Sequence, residues 1–109
     1  MVTIRQVRQL ALSLPEAVEA DHHGMPSFRV AKKIFATVPD NAHLHVMVGP
    51  DEKDMAVASA PEAYRELMWG KRLAGVRVDL AAAGMDLLAV LLREAWRRKA
   101  PRRLVSRLE

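Results

Sequence analysis

No cysteine occurs in this chain of 109 residues, which excludes disulfides and cysteine nucleophiles and makes a structural zinc site a poor expectation. Glycine is scarce: the five present, at positions 24, 49, 70, 75 and 84, are scattered and match no phosphate loop or dinucleotide fingerprint. Long apolar runs are missing too. The most apolar stretch, Leu80 to Leu92, is 13 residues long and contains Gly84 and Asp86, too short to cross a bilayer. The N-terminus runs straight into Thr3-Ile4-Arg5-Gln6, without an apolar leader or a small-residue cleavage site. A soluble cytoplasmic protein is the expectation. There is no G-x-S-x-G elbow, no H-E-x-x-H, no repeat and no low-complexity tract. An enzyme is therefore the least expected class.

What is present describes one small domain. Half the residues are hydrophobic and 28% are charged, a balance that supports a folded core. The net charge of +4 is unevenly distributed. Residues 93–109 hold Arg93, Arg97, Arg98, Lys99, Arg102, Arg103 and Arg107 against Glu94 and Glu109, a local charge of +5. The remaining residues carry ten basic and eleven acidic side chains, a charge of −1. A basic end on a near-neutral body suggests an anionic partner, nucleic acid or a membrane surface. A solvated helix end whose cations complement the C-terminal dipole would look the same.

Ile4, Val7, Leu10, Ala11 and Leu14 recur at helical spacing behind a Thr3/Gln6 capping box, predicting a helix over 4–13. Strands follow at 27–30, 33–38 and 43–48, around a poorly specified Ala31-Lys32 turn and a Pro39–Ala42 turn. Pairing Val30 with Lys33 puts Phe28 opposite Phe35, and pairing Val38 with His43 puts Phe35 opposite Val46. Phe28, Val30, Phe35, Thr37, Leu44, Val46 and Val48 then form one core face. Ser27, Arg29, Ile34, Ala36, Val38, His43, His45 and Met47 form the other. Pro50 to Ala58 suits a short helix, with Asp51 and Glu52 in its first turn. Glu62 to Met68 fits either a helical turn or a strand, and Trp69-Gly70-Lys71-Arg72 reads as a loop. Gly75 to Leu80 alternates as a strand, and Leu88, Leu91, Leu92, Ala95 and Trp96 mark a helix over 85–99 that ends at Pro101. The order is that of an α+β domain, an antiparallel sheet backed by N- and C-terminal helices.

Three clusters carry chemistry. His43 and His45, two apart on a strand with His22-His23 elsewhere, suit a polar face better than a metal site, because no carboxylate stands at ligand spacing. Trp69 offers a stacking surface beside Lys71 and Arg72, unless it anchors the loop on the core. Arg29, Lys32 and Lys33 make a basic hairpin.

His23-Gly24-Met25-Pro26-Ser27-Phe28-Arg29-Val30, followed by Lys33-Ile34-Phe35-Ala36-Thr37, resembles the signature of the MmcQ/YjbR family. The resemblance continues through Ala60–Tyr64, Trp69-Gly70, Val76–Leu80, Ala95-Trp96 and Ala100–Leu104. It implies a fold similar to that of frataxin (CyaY) and a DNA-binding role through a "double wing" arrangement. It implies no catalytic residue, metal or cofactor. Helix one carries Arg5 and Arg8 and no acidic residue, so the frataxin likeness brings no iron-binding expectation. The run Ala81-Ala82-Ala83-Gly84-Met85 departs from the polar cap of relatives. The candidate nucleic-acid contacts are Arg29, Lys33, Trp69, Lys71, Arg72, Arg97, Arg98, Lys99, Arg102 and Arg103. The competing expectation is a protein- or small-ligand-binding module, in one version a homodimer, using Ile34, Ala36, Val38 and Met47 on the open sheet face.

Overall fold

Thr3 caps the first helix as its spacing to Gln6 predicts: the Gln6 amide donates to Thr3 Oγ1 at 3.1 Å, and the Thr3 amide to Gln6 Oε1 at 2.9 Å. This helix, α1 (Ile4–Leu12), buries Val7 and Ala11. The structure, a computed structural model, describes residues 1–108; Glu109, counted in the charge of the C-terminal segment, lies outside the described residues.

The sheet has six strands, all antiparallel: β1 (Val18–His22), β2 (Met25–Val30), β3 (Lys33–Thr37), β4 (His43–Val46), β5 (Tyr64–Trp69) and β6 (Arg72–Asp79), in the order β1-β2-β3-β4-β6-β5. Helix α2 (Pro50–Ser59) packs on β5 and β6, and α3 (Met85–Lys99) lies across β3 and against α1. A short last helix, α4 (Arg102–Leu108), buries Leu104. The core is the layer between helices and sheet. Leu88, Leu91, Leu92, Ala95 and Trp96 of α3 are buried against Phe28, Val30, Phe35, Leu44, Val46, Val76 and Val78. Each large side chain so buried contributes about 1.5–3 kcal/mol. The Trp96 indole also donates to the Pro15 carbonyl at 3.0 Å, tying α3 to the end of α1.

Three features differ from the sequence-based expectation. Residues 18–22, part of a polar stretch from Pro15 to Met25 in which the sequence suggests no strand, form an edge strand whose hairpin turns at His23-Gly24, both at positive φ. The Trp69–Arg72 segment is a tight hairpin rather than a loop: residues 64–69 are a strand, one of the two forms open for 62–68, and Trp69 faces Arg72 across a two-residue turn with Gly70 at φ 62° in its first position. The segment after Pro101 is helical.

The register expectation holds at Val30↔Lys33 and Arg29↔Ile34 and fails from Phe28 onward. Arg29 pairs with Ile34 but Phe28 pairs with Ala36, so Phe35 is an extra residue, a β-bulge. One inserted residue reverses the alternation. Ala36 turns to the helix side with Phe28 and Val46, and Thr37 moves to the outer face opposite His45. The seven residues assigned to the core are all buried, Thr37 included, but Thr37 lies on the other side of the sheet. The apolar patch expected on the outer face is also reduced, to Ile34 and Met47. Ala36 belongs to the core, and Val38 and Met47 are each only 6% exposed.

The Ala31-Lys32 turn holds both residues at positive φ, 49° and 68°, the geometry that Asn-Gly adopts most readily. A left-handed backbone costs a side chain bearing a Cβ about 1–2 kcal/mol. Ala31→Asn combined with Lys32→Gly should raise unfolding stability by about 1 kcal/mol. A urea titration checks this; an unchanged or lower midpoint contradicts the strain.

Candidate nucleic-acid interface

Two recesses carry charged side chains, and their electrostatics differ. The first, about 330 Å³, is lined by His43, Glu62, Ala63, Arg65, Arg77 and Asp79. It lies over a cross-sheet row in which Thr37, His45, Arg77 and Arg65 are successive partners. Arg65 and Arg77 are like charges directly opposite one another, which disfavours the pair. Acidic groups offset them. Asp40 Oδ2 lies 3.8 Å from Arg77 Nη2, and Asp40 Oδ1 is 3.0 Å from His43 Nδ1. Hydrogen bonds from the Ala42 amide and from His43 hold the Asp40 carboxyl below the usual carboxylate range. Arg77 Nη1 donates to His45 Nε2 at 2.8 Å; arginine can only donate, so His45 is neutral with its proton on Nδ1. Burial, reinforced by the charge of Arg77, depresses His45. Glu62 and Asp79 share this recess with the two arginines, of which Arg77 has an ion-pair partner, Asp40, among the described residues. Among the described residues, no group of three or more His, Asp or Glu is placed to hold a metal ion.

The second recess, a cleft of about 500 Å³, is different. It is lined by Ile34, Met47, Trp69, Arg72, Leu73, Ala74, Arg98 and Lys99. Three segments distant in sequence meet there: the start of β3 with the exit of β4, the β5–β6 hairpin, and the C-terminal turn of α3. Met47 is buried and Ile34, Leu73 and Ala74 are partly buried, so they form an apolar floor. Trp69, 60% exposed, stands at the rim with the exposed Arg72 and Arg98 and the half-buried Lys99. The indole does not anchor its hairpin on the core. Arg98 passes over Gly49, where an added Cβ would lie 2.7 Å from Nη1. Among the described residues no carboxylate ion-pairs with Arg72, Arg98 or Lys99, whereas several other cations are neutralised.

Four of the ten sequence candidates thus line one cleft, and Lys71 sits in the turn between two of them. The others are dispersed. Arg97 lies 3.7 Å from Glu94. Arg103 is 3.2 Å from Glu16, which also meets Arg107 at 3.4 Å. Arg102 is exposed on α4, and Lys33 is exposed at the start of β3. Arg29 donates to Ser27 Oγ at 3.0 Å and to the Asp21 carbonyl at 2.9 Å, towards the β1 edge. Sequence reasoning missed the apolar floor. Its signal is the pair of outward-facing apolar residues Ile34 and Met47, which the sequence places on the open sheet face without showing what meets them there.

A family model described as YjbR matches residues 12–98. In structure, the chain is similar to a Deinococcus radiodurans protein, DR2400, whose crystal structure is described with a DUF419 domain. The TM-score is 0.74 at 19% identity, over 99% of this chain and 88% of that one. No curated protein matches the chain in sequence.

His45 supplies a pH test. Its folded value lies below the ordinary 6.5, so the native state binds fewer protons than the unfolded chain. The stability linked to His45 is present above pH 6.5 and is lost as pH falls below that value towards the folded one. His45→Gln keeps an acceptor for Arg77 and does not titrate. Its urea midpoint should fall less than that of the parent between neutral and mildly acidic pH; equal falls contradict the assignment.

Proposed function

The chain belongs to the YjbR family, and from that footing we propose that it is a non-enzymatic module that binds the phosphate backbone of nucleic acid, DNA in the first instance. The observation that carries this is the convergence of Arg72, Arg98 and Lys99, unpaired among the described residues, around the exposed Trp69 in a single cleft. Cations without internal carboxylate partners are free to neutralise phosphates, and an exposed indole offers a surface for a base or sugar. Lys71 in the adjoining turn extends the same edge. Arg103 and Arg107, engaged with Glu16, contribute less than their number suggests. The body of the domain is near neutral, so attraction is local and affinity modest at physiological salt.

Backbone binding has a quantitative signature. The logarithm of the binding constant should fall linearly with the logarithm of salt concentration, by about 0.9 per duplex phosphate neutralised. Arg98→Ala with Lys99→Ala should weaken binding and flatten that slope by about two phosphates' worth. Arg103→Ala, which removes a cation already paired with Glu16, should leave it nearly unchanged. An anisotropy titration over a salt series measures all three. Absence of binding to either duplex or single strands at low salt would sink the proposal.

A further inference from the structure

The cleft is more than a charged edge, and its floor narrows what it can hold. A duplex offers a protein its phosphates and groove edges, with every base face stacked inside the helix. A site built only for a duplex backbone needs cations and polar groups, and has no use for a recessed apolar surface. Here the cations ring a recess of about 500 Å³ whose floor is Met47, Ile34, Leu73 and Ala74. That volume lies within the range of small-molecule sites and is sufficient for a nucleotide. The aromatic ring at the rim is free, and Arg72 is the direct cross-strand partner of Trp69 at the end of the hairpin. A flat ring, an apolar floor and a rim of cations match an unstacked base with its flanking phosphates.

The backbone supports the same geometry. The sheet carries two bulges, one with Phe35 as the extra residue and one with Ala74, because Leu67 pairs with Gly75 and Met68 with Leu73. Ala74 lines the cleft, and Ile34 adjoins Phe35. Bulges bend strands and re-aim side chains, and are enriched beside functional sites. Both bends border the same recess.

We infer that the cleft takes an unpaired nucleotide of a single strand, the base on Trp69 over the Ile34/Met47/Leu73 floor and the flanking phosphates on Arg72, Arg98 and Lys99. This rests on the nucleic-acid reading above and goes further by naming the form of the ligand. Every base has a π-face, so little sequence preference is expected.

The test compares labelled oligothymidylate, oligouridylate and a mixed-sequence duplex of equal length at low salt, with the parent chain and two variants. Either single strand should bind at least about tenfold tighter than the duplex. Trp69→Ala should weaken single-strand binding by about ten- to a hundredfold, and Trp69→Phe should retain most of it. Trp69 is exposed, so both variants should fold, which circular dichroism verifies. A duplex that binds as tightly as the single strands, or a Trp69→Ala variant with parental affinity, overturns the inference while leaving backbone binding intact. Failure of all three probes to bind overturns both.

Discussion

Two inserted residues set the shape on which the rest of this domain depends. Phe35 in β3 and Ala74 in β6 each break the pairing of a hairpin by one position. At Phe35 the consequence is direct: the reversed alternation sends both Phe35 and Ala36 to the helix side, beneath α3. Ile34, on the other side of the bulge, is left on the outer face, where it meets Met47 and the β5–β6 hairpin. At Ala74 the extra residue lies in the wall of the cleft. Gly75, beside it, approaches β4 so closely that a Cβ would sit 1.9 Å from the Val46 carbonyl oxygen. No other residue fits there without moving a strand. Core packing and the cleft therefore share one cause.

Charge is arranged with equal economy, and the C-terminal segment shows why a net figure misleads. Its cations divide into groups with different fates. Arg103 and Arg107 converge on Glu16 and close the turn between α1 and β1. Arg97 lies along α3 beside Glu94. Arg98 and Lys99 lie at the end of the same helix, where the burial of Trp96 and its hydrogen bond to Pro15 fix the helix position. They have no such partner among the described residues and point into the cleft. Elsewhere on the sheet, Arg77 is engaged by His45 and Asp40. Of the seven cations in this +5 segment, two thus meet in the cleft, joined there by Arg72 from a distant hairpin, while Arg93 and Arg102 are exposed elsewhere.

Much of the fold was legible because hydrophobic period is a strong signal. The α1 stripe with its Thr3/Gln6 box, the α3 stripe ending at Pro101, and the Val76/Val78/Leu80 alternation each correspond to an observed element. β1 was not legible, because Val-Glu-Ala-Asp-His at a sheet edge buries no residue fully and its short alternation contains only two apolar residues, Val18 and Ala20. The bulge at Phe35 was not legible either, since nothing in Lys33–Thr37 distinguishes an extra residue from a regular one. The shifted register of β3 with β4 followed from it. For the site, the residue types were visible and their convergence was not. Trp69, Arg72, Arg98 and Lys99 stood among ten similar candidates, and only long-range packing separates them from Arg29, Arg102 and Arg103.

On the reading proposed above, one cleft, rather than the basic C-terminal segment as a whole, receives the ligand. Backbone and indole amide shifts of the isotopically labelled protein, followed by NMR during addition of oligothymidylate, test this residue by residue. The largest shifts should fall on the Trp69 indole, on Arg72 and Leu73, on Ile34 and Met47, and on Arg98 and Lys99. Shifts confined to Arg102–Leu108, or to the Arg29–Lys33 hairpin, with the Trp69 indole unmoved, would contradict it.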